Sequence, residues 1–133
     1  MTPDRQKDKK KILIIDDSEI VRTTLKKVLE FGQHYDIIVA EDGIIAQKLI
    51  EYSCPDLIVL DIHMPGKGGY ELFCDLKRKP ETRHVKVIAI SGLSGHIGCA
   101  IMQGLGADCY FEKPIDNKNF VSKVSSLLGE GQN

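Results

Sequence analysis

Five short apolar runs, Ile12–Ile15, Ile37–Ala40, Leu57–Leu60, Val85–Ile90 and Cys109–Phe111, alternate along the chain with five stretches of helical period. The central runs are almost unbroken Ile, Leu and Val, the pattern of strands covered on both faces of a parallel sheet. Between them, Val21, Leu25, Val28 and Leu29 recur at i, i+4, i+7 and i+8. Ile45, Ala46, Leu49 and Ile50 make a second stripe, and Leu72, Phe73 and Leu76 a third. Phe120, Val124, Leu127 and Leu128 make the last, with Asp116 placed as its N-cap. The weak member is Ser94–Gly106, which carries Gly95, Gly98, Gly104 and Gly106. A glycine inside a helix costs about 0.5–1 kcal/mol relative to alanine. Gly104 and Gly106 lie where a helix should stop, whereas Gly98 marks a segment suited to shifting. Strict strand–helix alternation with short links predicts a doubly wound (βα)5 α/β fold.

In such sheets ligands bind outside the carboxyl ends of the strands, near the topological switch point. Strand one ends in Asp16-Asp17, strand three in Asp61, strand four in Ser91 and strand five in Lys113-Pro114. Strand two ends in Glu41-Asp42, which reads as solvated loop because an outer strand lies away from the crevice. With strand order 2-1-3-4-5 the crevice falls between strands one and three, and three carboxylates converge there. Packing carboxylates together is costly unless a cation neutralises them. A hard divalent ion suits oxygen ligands, and Mg²⁺ held by one or two carboxylates usually also takes a phosphate. The set fits phosphoryl transfer to a carboxylate nucleophile. Asp61, on the central strand, would attack while Asp16 and Asp17 hold Mg²⁺. Lys113 would offer a point charge and Ser91 a hydrogen bond to the phosphoryl oxygens.

Length and charge exclude much else. A chain of 133 residues suits one domain and buries roughly two-thirds of its unfolded surface, so no metal or disulfide staple is required. A net charge of -1 supplies no basic field for nucleic acid or anionic membranes. Residues 1–10 read as a solvated leader, residues 11–129 as the domain and residues 130–133 as a tail. No apolar stretch approaches membrane-spanning length and the N-terminus lacks an apolar signal core, so a cytoplasmic location is expected. Cys54, Cys74, Cys99 and Cys109 match neither zinc nor redox spacing and are expected as free thiols; a zinc site from Cys99, Cys109 and His96 lacks any recognised ligand spacing. His34, His84 and Cys54-Pro55 read as loop residues without an evident role.

From Lys11 to Leu128 the sequence resembles the receiver domains of two-component response regulators, in particular single-domain chemotaxis-type regulators. The resemblance rests on Asp16-Asp17, on Asp61-Ile-His-Met-Pro-Gly-Lys-Gly-Gly69, on Ser91-Gly92 and on Ala107-Asp-Cys-Tyr-Phe-Glu-Lys-Pro114. It implies a flavodoxin-like three-layer sandwich and phosphoryl transfer to Asp61 from the phosphohistidine of a sensor histidine kinase or a phosphotransfer protein. It further implies Mg²⁺, with Mn²⁺ as an alternative, on Asp17, Asp61 and the backbone carbonyl of His63, with Asp16 acting directly or through water. Ser91 and Tyr110 would form a switch pair acting on the surface of the fourth helix, fifth strand and fifth helix. Lys113-Pro114 would be a cis peptide. The output would be a downstream protein or an output domain outside this chain, with no direct nucleic-acid contact and no membrane insertion; a phosphorylation-dependent dimer is compatible. The His63 side chain would face solvent and tune dephosphorylation, since imidazole is a poor ligand for hard Mg²⁺. Met64-Pro65 and Gly68-Gly69 read as loop geometry. The start at Met1 and the polar Gly129–Asn133 fit a stand-alone regulator, although a piece of a longer protein would look the same.

Three other readings share parts of this pattern. A flavodoxin-type carrier would need a hydroxyl- and glycine-rich phosphate loop after strand one, where Asp16-Asp17-Ser18-Glu19 would repel FMN. A haloacid dehalogenase-type hydrolase would place its nucleophile after strand one and a second acid where His63 stands. A degenerate binding platform would lack one of the required side chains, and all are present.

Overall fold

The structure, a computed structural model, describes residues 9–31, 35–64, 66, 68–92 and 102–129. Most of the expected leader, the tail, His34, Pro65, His96, Cys99 and most of Ser94–Gly106 lie outside the described residues. The strands are β1 (Lys11–Ile15), β2 (Asp36–Ala40), β3 (Leu57–Asp61), β4 (Lys86–Ser91) and β5 (Cys109–Glu112). They form one parallel sheet of order β2-β1-β3-β4-β5, as the alternation predicts.

Successive strand residues face opposite layers, which explains why the central strands are apolar throughout. Leu13, Ile15, Ile58, Leu60, Val87 and Ala89 face one side. There they bury Ala46 and Ile50 of α2 (Gly43–Ser53) and Leu72, Phe73 and Leu76 of α3 (Gly69–Arg78). Ile12, Ile14, Leu57, Val59, Ile88 and Ile90 face the other side. Leu25 and Leu29 of α1 (Glu19–Glu30) and Phe120 and Val124 of the C-terminal helix (Asn117–Leu127) close that layer. Phe111 meets the buried Phe120 edge to face at 5.8 Å.

Helix starts follow the sequence with one addition. Ser18 caps α1 by accepting from the Val21 N–H, and Asp116 caps the C-terminal helix by accepting from Asn119. Asp42, taken above as plain loop, caps α2 by accepting from Ile45 at 2.8 Å. Ile45 itself, placed above on the buried stripe, is exposed, because only Ala46 and Ile50 of that stripe turn fully to the sheet. Residues 102–104 are helical and stop just before Gly106, whose φ of 107° suits glycine alone. Cys54, Cys74 and Cys109 are free thiols. Among the described residues no helix is long and apolar enough to cross a membrane.

Candidate functional site: an acidic crevice at the strand ends

Parallel register brings the expected residues to one edge. β1 pairs with β3 through Ile15 and Leu60, so Asp16 and Asp61 follow side by side. Ligand oxygens of Asp16, Asp17 and Asp61 all lie within 4.8 Å of one another. Asp16 and Asp61 are buried, while Asp17 is exposed.

Each buried acid is held from several sides. Asp16 Oδ1 accepts from the Ser18 N–H at 2.8 Å, its own N–H donates to the Ala40 carbonyl at 3.2 Å, and its carbonyl accepts from the Arg22 guanidinium at 2.8 Å. Asp61 Oδ1 accepts from the His63 N–H at 3.0 Å. Lys113 Nζ stands 2.9 Å from Asp16 Oδ2 and 3.3 Å from Asp61 Oδ2. The backbone of Lys113 is anchored to β4 by its N–H donating to the Ser91 carbonyl at 2.8 Å, and the Lys113-Pro114 peptide is cis.

The charge balance is incomplete. One ammonium lies within ion-pair distance of two of the three clustered carboxylates, and Asp16 Oδ2, although 2.9 Å from it, makes no hydrogen bond and is wholly buried. Burial raises the Asp61 carboxyl above its ordinary value of 3.8; the Asp16 charge adds to this, and the His63 N–H and Lys113 offset only part of it. Burial alone would lower Lys113, but the close Asp16 carboxylate and the charge of Asp61 outweigh it and hold the ammonium above 10.5. An all-oxygen donor set with excess negative charge and an orphaned buried carboxylate oxygen fits a hard divalent cation.

Ser91 ends β4 beside Asp61, fully buried, and Tyr110 is half-buried on β5 against the cluster containing Met64 and Met102. His63 is exposed. Two residues near the site carry weight that the sequence did not reveal. Gly69, expected as loop geometry, is the first residue of α3 and is pressed onto the Asp61 backbone. Arg22 reaches back from the first turn of α1, a role signalled only by its place four residues after the Ser18 cap. Away from the acids, Cys54, Pro55 and His84 line a groove of about 530 Å³ between α2 and α3, at the opposite end of the sheet.

The chain matches the family model described as "Response regulator receiver domain" over residues 12–125. It is 38% identical over 119 residues to the response regulator PleD of Caulobacter vibrioides, covering 88% of this chain and 26% of that protein. It is 35% identical over 125 residues to histidine kinase P4 of Formosa agariphila, covering 92% of this chain and 9% of that protein. The chain thus spans about a quarter or less of these relatives' length. The solved signal receiver domain of a DNA-binding response regulator from Colwellia psychrerythraea superposes with a TM-score of 0.85 at 28% identity, over 91% of this chain and 99% of that one. The chain is a member of the response regulator receiver domain family.

Proposed function

We propose that this receiver domain, residues 11–129, accepts a phosphoryl group on Asp61 from the phosphohistidine of a sensor histidine kinase or phosphotransfer protein. The carrying observation is Asp61 itself: a buried carboxylate at the open edge of the sheet, flanked by an ammonium at 3.3 Å and a neighbouring acid cluster. An Asp61 carboxylate oxygen attacks phosphorus as the P–N bond to imidazole breaks, and the departing imidazole takes up a proton. Lys113 Nζ and the Ser91 hydroxyl would share the charge of the phosphoryl oxygens, and the His63 N–H, which donates to Asp61 Oδ1, would hold the acceptor carboxylate in orientation. Asp16, Asp17, Asp61 and the His63 carbonyl would hold Mg²⁺ or Mn²⁺, which when bound neutralises developing charge on the phosphoryl group.

Hydrolysis of the acyl phosphate returns the domain to its starting state, so the chain catalyses its own phosphorylation and dephosphorylation and is not a metabolic enzyme. The phosphorylated form switches through Ser91 and Tyr110 to act on a downstream protein or an output domain, in the cytoplasm. The test is incubation with acetyl phosphate and Mg²⁺, read by intact mass. One phosphoryl group should be gained, be lost in EDTA and in Asp61→Asn, and be labile to base. An added phosphoryl mass that survives in Asp61→Asn would sink the assignment.

A further inference from the structure

We propose that Arg22 is a positioning residue that sets the Asp16–Asp17 peptide and thereby presents the Asp17 carboxylate to the divalent cation. The proposal rests on the reading of Asp16, Asp17 and Asp61 as a cation site. Asp16 needs no help from Arg22 to hold its carboxylate, because Oδ1 is already fixed by the Ser18 N–H and Oδ2 faces Lys113. Asp17 differs. It is exposed, and among the described residues no hydrogen bond holds its carboxylate. What aims it is the backbone before it.

A peptide group is rigid and planar, so the Asp16 carbonyl oxygen and the Asp17 nitrogen turn together. Arg22 grips that oxygen at 2.8 Å from a partly buried guanidinium, while the Asp16 N–H is tied to Ala40 on β2. The helix supplies the lever. Arg22 N–H donates to the Ser18 carbonyl at 3.0 Å, so its α-carbon is fixed in the first turn of α1 and its side chain folds back over the loop it caps. Rotation of the Asp16–Asp17 peptide is thereby blocked from the helix side, and the Asp17 side chain leaves the backbone in one direction.

Charge and positioning make opposite predictions, which decides the matter. A guanidinium beside a cation site repels a divalent ion, so an electrostatic role alone means tighter binding once the charge is removed. A positioning role means weaker binding, since removing a group that orients a metal ligand typically costs on the order of 10–100-fold in affinity.

The experiment is titration of the full chain with Mn²⁺, following the free-ion EPR signal, with Mg²⁺ competition and a thermal melt of every variant. Arg22→Met should bind about 10-fold more weakly at little change in Tm, and Arg22→Lys should recover most of the loss. Arg22→Gln, a neutral donor, keeps the question answerable if Arg22→Met fails to fold and should bind better than any variant without a donor. In an Asp17→Asn background, Arg22→Met should have no further effect, because its role runs through that carboxylate. Equal or tighter binding by Arg22→Met, or an undiminished loss in the Asp17→Asn background, overturns the proposal. Failure of the site reading looks different: wild type would not bind, or Asp17→Asn would bind as wild type does.

Discussion

A β-carbon added to Gly69 would overlap the carbonyl oxygen of Asp61 and stand 2.7 Å from both the Asp61 carbonyl carbon and the Ile62 α-carbon. The first residue of α3 therefore rests directly on the backbone of the acceptor residue. α3 cannot retreat, since Leu72, Phe73 and Leu76 are buried in the core on the same helix. Nor can the opposing atoms yield as a flexible side chain would, because they are backbone of a central strand.

Gly69→Ala should thus destabilise by more than ordinary overpacking of a core, which costs about 1–3 kcal/mol. It should also displace Asp61 and slow phosphoryl uptake in whatever fraction folds. Urea unfolding measures the first effect and intact mass after acetyl phosphate the second. A stable Gly69→Ala protein with normal uptake would mean that α3 and β3 are not locked together.

A second expectation follows from the raised carboxyl of Asp61 in the metal-free protein. The native state holds this proton more tightly than the unfolded chain does. The associated stability is complete below about the unfolded value of 3.8 and is lost as pH rises through the higher native value. Ionised Asp61 is then a net cost at neutral pH. In EDTA, Asp61→Asn should melt above wild type at pH 7, and the difference should shrink as pH falls toward 3.8. A variant that melts below wild type at pH 7 would contradict the burial of this charge.

The sequence exposed the sheet and the acids for the same reason. Consecutive positions on β1, β3 and β4 are buried on alternate faces, so the runs had to be apolar throughout, and parallel strands bring their carboxyl ends to one edge. Asp16, Asp17, Asp61, Ser91 and Lys113 could be placed from that rule alone. Gly69 and Arg22 could not. Their roles depend on how closely a helix start approaches a strand end and on how a long side chain folds back, and both are distances set by tertiary packing. Ile45 misled for a related reason: it has the helical spacing of a core residue, but α2 packs over β2 and β1 through Ala46 and Ile50 and leaves one flank of its stripe in water.

Removing the ammonium that serves both buried acids should expose the cation dependence of the fold. Lys113→Met leaves Asp16 and Asp61 without their neutralising partner, and removing one member of a buried pair costs about 3–5 kcal/mol. The ammonium keeps 23% exposure, which places the loss near the lower end of that range. In wild type this contribution is complete below 10.5 and fades as pH rises through the higher native value of Lys113. Mg²⁺ should restore much of the loss, so the Tm gain on adding Mg²⁺ should be larger in Lys113→Met than in wild type. Equal gains in EDTA-to-Mg²⁺ melts would show that the ion and the ammonium do not share the same acids.

The last expectation concerns what phosphorylation moves. Ser91 is buried at the end of β4, next to the strand that ends in Asp61, and its carbonyl holds the Lys113 N–H at 2.8 Å. A phosphoryl group on Asp61 offers new acceptors to the Ser91 hydroxyl and competes for the Lys113 ammonium, so the carboxyl ends of both β4 and β5 feel the modification. Tyr110 sits between them in sequence, half-buried on β5 against a cluster that includes Met102 from the helical residues 102–104. β5 is an edge strand with a partner on one side only, which makes it less costly to shift than β3 at the centre. The two states need differ by only a few kcal/mol for one modification to move the balance. Hydrogen exchange with and without a beryllofluoride mimic should therefore change most across residues 102–112 and at Ser91 and Gly92. Val21–Leu29 of α1 should change little, because Leu25 and Leu29 are locked into the opposite layer with Phe120 and Val124. A response confined to α1, with residues 102–112 unaffected, would rule out switching through Ser91 and Tyr110.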